Sequence, residues 1–148
     1  MTQLAERTAV NDLIETCTDA ARGFRSAAAH VHDERLKAFF ERTADERERF
    51  AAELLPQAQR LGGDAPADGT RAAALHRGWI DLKSRITRHD DRAILTEVTR
   101  GDCITLNVFK GAIEGMLPPD VRELVEEQYV AIAAEHTDIE NFYPPVGI

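Results

Sequence analysis

Several acidic residues and one histidine interrupt the apolar side of segments that otherwise have a helical pattern. These residues are Glu46, Asp102, Glu135 and His136. Carboxylates and imidazole are common ligands for iron and other divalent metals. Buried carboxylates must otherwise be ion-paired, hydrogen-bonded or protonated. The pattern therefore predicts either a metal site or an internal polar network.

The arrangement of a di-iron centre in a four-helix bundle provides a test of the metal interpretation. It requires a Glu on each of two helices and a Glu-x-x-His motif on each of the other two. Three residues after Glu46 the chain has Arg49 instead of His. Three residues before His136 it has Ala133 instead of Glu. The spacing therefore favours a metal-free polar layer over a single-metal site, and disfavours a two-metal site most.

In the metal-free interpretation, Glu46 is paired with Arg47, Gln128 or His136, and the layer fixes how the helices align. On the first segment, two more acidic residues flank Cys17. The full set of candidate metal ligands is Glu15, Asp19, Glu46, Asp102, Glu135 and His136. The candidate ion is iron or another divalent metal, which would activate oxygen or peroxide.

Apolar residues recur at intervals of three and four along the chain, a spacing that predicts helices. The predicted long helices cover about 3–30, 33–61, 90–117 and 120–142, with a shorter one over about 70–87. Asp33 and Asp90 are suited to cap helices, and Gly62-Gly63 to end one. Pro56 is expected to kink the second helix or to end its straight part early.

The short turns near 31–32 and 118–119 predict two antiparallel hairpins. The segment at 70–87 then crosses back along the bundle, so that the second and third long helices run parallel. This connection predicts a single all-α domain, a ferritin-like four-helix bundle with a crossover helix. The alternative is a five-helix array with 70–87 in the core. Counting outward from the turns places Glu46 level with Cys17, and Asp102 level with Glu135.

The composition limits the classes of function. The chain has 148 residues, 18 basic and 26 acidic, and a formal charge of -8. An acidic chain without clustered Lys and Arg argues against nucleic-acid binding. No apolar run reaches a membrane span, and no signal peptide is evident, so we expect a cytoplasmic protein. Cys17 and Cys103 are expected to be core thiols, with no residue placed by the sequence to activate them.

Motifs in all four long segments carry a family resemblance. They include Leu13–Cys17 with Asp19, Glu46-Arg47 with Phe50, Leu61–Gly63, Leu75–Trp79, Arg100–Asp102, Leu117–Val121, Gln128-Tyr129 and His136. Over about 10–142 the chain resembles an uncharacterised, mostly proteobacterial family of ferritin-like four-helix-bundle proteins, a domain of unknown function. The resemblance implies a self-associating bacterial protein and supplies no established activity. Where such proteins often have acidic residues after the position of Asp19, this chain has Ala20-Ala21. Where they often have Glu after the Gly of the third long helix, it has Asp102.

Two functions follow as hypotheses. The first is a non-enzymatic structural or interaction protein that forms a homodimer or another homo-oligomer, without nucleic acid or membrane. The second is a divalent-metal protein with oxygen or peroxide chemistry at the carboxylate and histidine site. The tail 143–148 is expected to be extended, and Phe142 with the residues after it is a candidate contact with a second subunit.

Overall fold

The computed structural model describes residues 2–62 and 90–142, which form four long helices. These are α1 (Thr2–His30), α2 (Glu34–Arg60), α3 (Asp91–Glu114) and α4 (Pro119–Phe142). No strand occurs within the two described ranges. The fold is therefore all-α, as the sequence predicts, and is compatible with a four-helix bundle.

The helix ends follow local chemistry. The Asp33 side chain accepts hydrogen bonds from the backbone N–H groups of Arg35 and Leu36, and Asp90 accepts one from Ala93. Both predicted N-caps are therefore confirmed. Gly62, just after α2, has a φ of 119°, which glycine adopts without the steric cost of a side chain.

The predicted extent of the second helix, about 33–61 with Pro56 inside it, is confirmed, and the kink at Pro56 stays a prediction. Helix α2 continues through Pro56 to Arg60. The proline ring is on an exposed position, while Leu54 and Ala58 on either side of it are buried in the core. Packing of these neighbours offsets the one backbone hydrogen bond that proline cannot donate.

Two apolar clusters fill the bundle, one near each turn. The first-turn cluster contains Ala20, Ala21, Phe24, Ala27, Ala28, Val31, Leu36, Phe40, Ala44, Ile94, Leu95, Val98 and Ile139. The second-turn cluster contains Val10, Leu13, Cys17, Phe50, Leu54, Ala58, Leu61, Val108, Phe109, Leu117, Val121, Val125 and Ile132. Each cluster draws on all four helices.

The membership of the clusters gives the helix directions. The end of α1 and the beginnings of α2 and α3 meet in the first-turn cluster, together with the end of α4. Helices α2 and α3 are therefore parallel, and α1 and α2 are antiparallel, as are α3 and α4. Because α2 ends at the opposite end of the bundle from the start of α3, the residues between them connect opposite ends. The predicted crossover helix at 70–87 lies outside the described residues, so the alternative of a five-helix array stays open.

Asp91 joins the two hairpins at the first turn. One of its carboxylate oxygens accepts from the His32 N–H at 2.8 Å, and the other accepts from the Asp33 N–H at 2.7 Å. Burial works against the charge, but these backbone hydrogen bonds lower the pKa of Asp91. A single side chain at the start of α3 thus fixes the position of the α1–α2 turn.

Phe142, at the end of α4, packs within its own chain. Its ring centroid lies 6.0 Å from that of Phe39, and the Arg35 guanidinium carbon lies 5.5 Å from the Phe142 centroid. The rest of the predicted tail, 143–148, lies outside the described residues. Across the described helices, none has an apolar stretch of the length needed to cross a bilayer.

Candidate functional site

An arginine occupies the centre of the bundle. The Arg47 side chain has no exposed surface, and its guanidinium donates to three carboxylates. Nη1 donates to Glu135 Oε1 at 2.6 Å and to Glu46 Oε1 at 3.0 Å, and Nη2 donates to Asp102 Oδ1 at 3.1 Å. We call these four residues, with His136, the Arg47 layer.

The spacing of α2 explains why Arg47 is inside. Ala44, Arg47, Phe50 and Leu54 follow one another at intervals of three and four, so Arg47 shares their buried face. Its guanidinium carbon also lies 5.6 Å from the centroid of the Phe24 ring, within reach of a cation–π interaction. Arg47 Nε is buried and has no hydrogen-bond partner among the described residues.

The charges in the layer depend on each other. Burial disfavours the Arg47 cation, but Asp102 and Glu135 outweigh it and raise the pKa of Arg47. Burial, together with a hydrogen bond to Glu46, raises the pKa of Glu135 to about 8 despite its contact with Arg47. A carboxylate pair that shares one cation is stable when one proton is shared between its members. At neutral pH we therefore expect the Glu135 carboxyl to hold a proton.

His136 extends the layer toward the surface. Its Nδ1 lies 3.2 Å from the second oxygen of Asp102, and this hydrogen bond raises the pKa of His136. Its Nε2 lies 3.4 Å from Cys103 Sγ and 3.6 Å from Glu140 Oε1. Asp102 thus binds Arg47 with one oxygen and His136 with the other, which fixes both side chains.

Three other polar residues on the core side of the helices have hydrogen-bond partners outside the Arg47 layer. The hydroxyls of Thr43 and Thr105 donate to the backbone carbonyls of Phe39 and Gly101, one turn earlier. Gln128 Nε2 lies within 3.3 Å of the Phe50 carbonyl. These residues do not extend the Arg47 layer, and Gln128 Oε1 is buried with no hydrogen-bond partner among the described residues.

The structure brings together four of the six candidate ligands. Glu46, Asp102 and Glu135 share Arg47, and His136 binds Asp102. Asp102 and Glu135 therefore lie level, as the position of the turn between α3 and α4 predicts.

The other two candidate ligands lie on α1. Glu15 is exposed. Asp19 is buried and lies 4.0 Å from Arg22 on its own helix.

The geometry of the carboxylates differs from that of a metal site. Their oxygens converge on the Arg47 guanidinium, which supplies the positive charge at their centre. Within 2–62 and 90–142, no three His, Cys, Asp or Glu side chains are arranged to hold a metal ion. In this arrangement the carboxylates bind a fixed cation of the protein itself.

The two cysteines differ, and the expectation that both are core thiols is wrong for one of them. Cys17 is fully buried, and burial raises its pKa to about 12. Cys103 is exposed. Its Sγ meets the His136 imidazole, so a histidine is in place beside it, contrary to expectation. The alignment that pairs Asp102 with Glu135 pairs Cys103 with Ala134, so the register predicted from the sequence did not indicate this contact.

Comparison with known proteins places these residues in a family. A family model described as a domain of unknown function (DUF2383) matches residues 5–115, more than half of the 148 residues. The match includes Glu46, Arg47, Asp102 and Cys103 and ends before α4, which carries Glu135 and His136. No curated protein matches the chain. By the extent of the family match, the chain belongs to the DUF2383 family, a domain of unknown function.

Proposed function

We propose that this protein is a non-enzymatic helical bundle of the cytoplasm that acts as a structural or interaction protein. In this proposal the Arg47 layer sets the alignment of α2, α3 and α4 and holds no catalytic metal. The observation that carries the proposal is the fully buried Arg47 guanidinium, with three carboxylates as its hydrogen-bond partners.

Charge supports this function. The buried Arg47 guanidinium already supplies a positive charge at the point where the Glu46, Asp102 and Glu135 side chains meet. A divalent cation added here would meet Arg47 at short range and would have to displace it. At low effective dielectric such like-charge contacts cost several kcal/mol.

Geometry supports it as well. The three carboxylates come from three helices, because Glu46 precedes Arg47 on α2, Asp102 lies on α3 and Glu135 on α4. An arginine binds carboxylates only in the directions of its planar N–H groups. Sliding α3 or α4 by a residue relative to α2 would break its hydrogen bond to Arg47, so the layer favours one register.

Elemental analysis of the purified full-length protein tests the proposal. We expect no stoichiometric iron, zinc or manganese after expression in medium supplemented with these metals. Glu46→Gln is the matched control, since it keeps the shape and removes one carboxylate. Stoichiometric metal in the native protein that is lost in Glu46→Gln would replace the structural function with the metal-dependent one.

The proposal includes self-association, in the form of a homodimer. It is supported by large apolar side chains on the described surface, with Val130 the most exposed at 66% and Met116 at 56%. Sedimentation equilibrium at several concentrations should give a mass near twice that of the 16.5 kDa chain. A monomer at all concentrations contradicts this part of the proposal and leaves the role of the Arg47 layer untouched.

A further inference from the structure

Cys103, His136 and Asp102 form a connected series that begins at the surface and ends in the core. The exposed Cys103 Sγ lies 3.4 Å from His136 Nε2, and His136 Nδ1 lies 3.2 Å from Asp102 Oδ2. We propose that Cys103 is a thiol modification site, at which His136 acts as the base and the co-reactant is a small disulfide.

The role of His136 follows from its two hydrogen bonds. Asp102 accepts from Nδ1–H and so keeps the proton of the neutral ring on that nitrogen. Nε2 then carries a lone pair, and it is the nitrogen that faces Cys103. Asp102 is itself held by Arg47, at 3.1 Å through its other oxygen. The imidazole is therefore positioned by the buried layer before any reagent arrives.

The reaction conserves atoms and electrons. Cys103 Sγ transfers its proton to His136 Nε2 and attacks one sulfur of the disulfide. A new S–S bond forms to Cys103, and the S–S bond of the reagent breaks. The departing thiolate takes up the proton from the imidazolium, so a thiol is released and a mixed disulfide remains on the protein.

The surroundings of Cys103 make the base necessary. Partial burial, Asp102 and Glu140 all raise the pKa of Cys103, so the resting group is the thiol and not the thiolate. Without assistance such a cysteine reacts more slowly than an ordinary exposed one. Fast reaction at neutral pH would therefore have to come from proton transfer to His136.

Charge also selects the reagent. The Glu140 carboxylate, 3.6 Å from His136 Nε2, and the buried Asp102 place negative charge beside the thiol. A disulfide with positively charged groups is attracted to this site, and one with negatively charged groups is repelled. We therefore expect cystamine to react faster than a dianionic aromatic disulfide of equal intrinsic reactivity.

Cys17 is a second cysteine of this chain that a reagent in solution cannot reach. It is fully buried, and burial raises its pKa to about 12. In the folded protein it is expected not to react with either reagent. Cys103→Ala therefore measures the background that Cys17 contributes.

The test follows cystamine addition to the full chain by intact mass spectrometry at neutral pH, with a chelator present. The matched control is Cys103→Ala combined with Asn107→Cys, which moves the thiol one turn along α3 to another exposed position. We expect the native protein to react at least about tenfold faster than this control, and His136→Gln to lower the native rate by about 10²-fold.

Equal rates for the native protein and the Asn107→Cys control would overturn the proposal. So would a His136→Gln variant that keeps its fold, by circular dichroism, and keeps the native rate. If His136→Gln does not fold, the comparison with the Asn107→Cys control decides alone. Neither result bears on metal content or on the mass in solution, so this proposal and the proposed function fail separately.

Discussion

The Arg47 layer and the two apolar clusters on either side of it all lie inside the bundle but are held together differently. The clusters gain free energy from apolar surface removed from water, which does not depend on direction. In the layer, the cost of burying charged groups is offset by directional hydrogen bonds to one guanidinium. The clusters thus supply stability, and the layer adds a requirement on how the helices align.

Loss of the central cation should have the largest effect. Arg47→Met keeps much of the volume and removes the charge, which leaves Asp102 fully buried with only His136 as a partner. Breaking a buried ion pair on one side costs about 3–5 kcal/mol. We expect a loss of that size in the free energy of unfolding, measured by urea denaturation.

A compensated variant sharpens the comparison. Arg47→Met combined with Asp102→Leu and Glu135→Leu removes the charges together, and apolar replacements of buried ion pairs are often neutral or stabilising. We expect this variant to recover most of the lost stability. If Arg47→Met alone were nearly neutral, the layer would not be a coupled network.

An apolar residue at a comparable depth should behave differently. Leu54 in the second-turn cluster is fully buried. Leu54→Ala should cost about 3 kcal/mol, since it loses transfer free energy and leaves a cavity. Leu54→Met, which conserves volume, should cost less than about 1.5 kcal/mol. If Leu54→Met destabilised the protein as much as Leu54→Ala, the stability of this cluster would also depend on the exact shape and orientation of its side chains.

The sequence predicts the helices and their order well, because the signals are local. The spacing of apolar residues, the Asp33 and Asp90 caps and the Gly62 stop each act within a few residues. Helix α2 continues through Pro56, as predicted, because packing of its buried neighbours against the bundle outweighs the local preference of proline. Parallel α2 and α3 follow from lengths and turns alone.

The site could be predicted in part. Register counted from the turn between α3 and α4 brings Asp102 level with Glu135, which explains why both bind the same group, the Arg47 guanidinium. Arg47 was harder to recognise as that group, because arginine is rarely fully buried and its long side chain can point several ways. Exposure of Cys103 depends on the rotation of α3 about its axis, which spacing fixes only to within a fraction of a turn.

The smallest expected effect is a pH dependence that separates the layer from the clusters, since apolar groups do not titrate. In the folded protein Glu135 has a pKa of about 8, against an ordinary value near 4.5. The folded chain therefore holds a proton that the unfolded chain releases, and its stabilising contribution is full below about pH 4.5 and lost as pH rises toward 8. His136, whose pKa is also raised, acts in the same direction as pH rises through its folded value.

Glu135→Gln isolates the carboxyl part of this pH dependence. The amide cannot ionise, so the variant keeps the contribution of His136 and loses that of Glu135. Because the carboxyl is coupled to Glu46 and partly reached by water, we expect about 1–2 kcal/mol rather than the full shift. Urea unfolding at pH 5 and pH 8.5 should show the native protein losing more stability than Glu135→Gln across this range. An equal loss in both proteins would mean that Glu135 is ionised in the fold and pairs with Arg47 as a carboxylate.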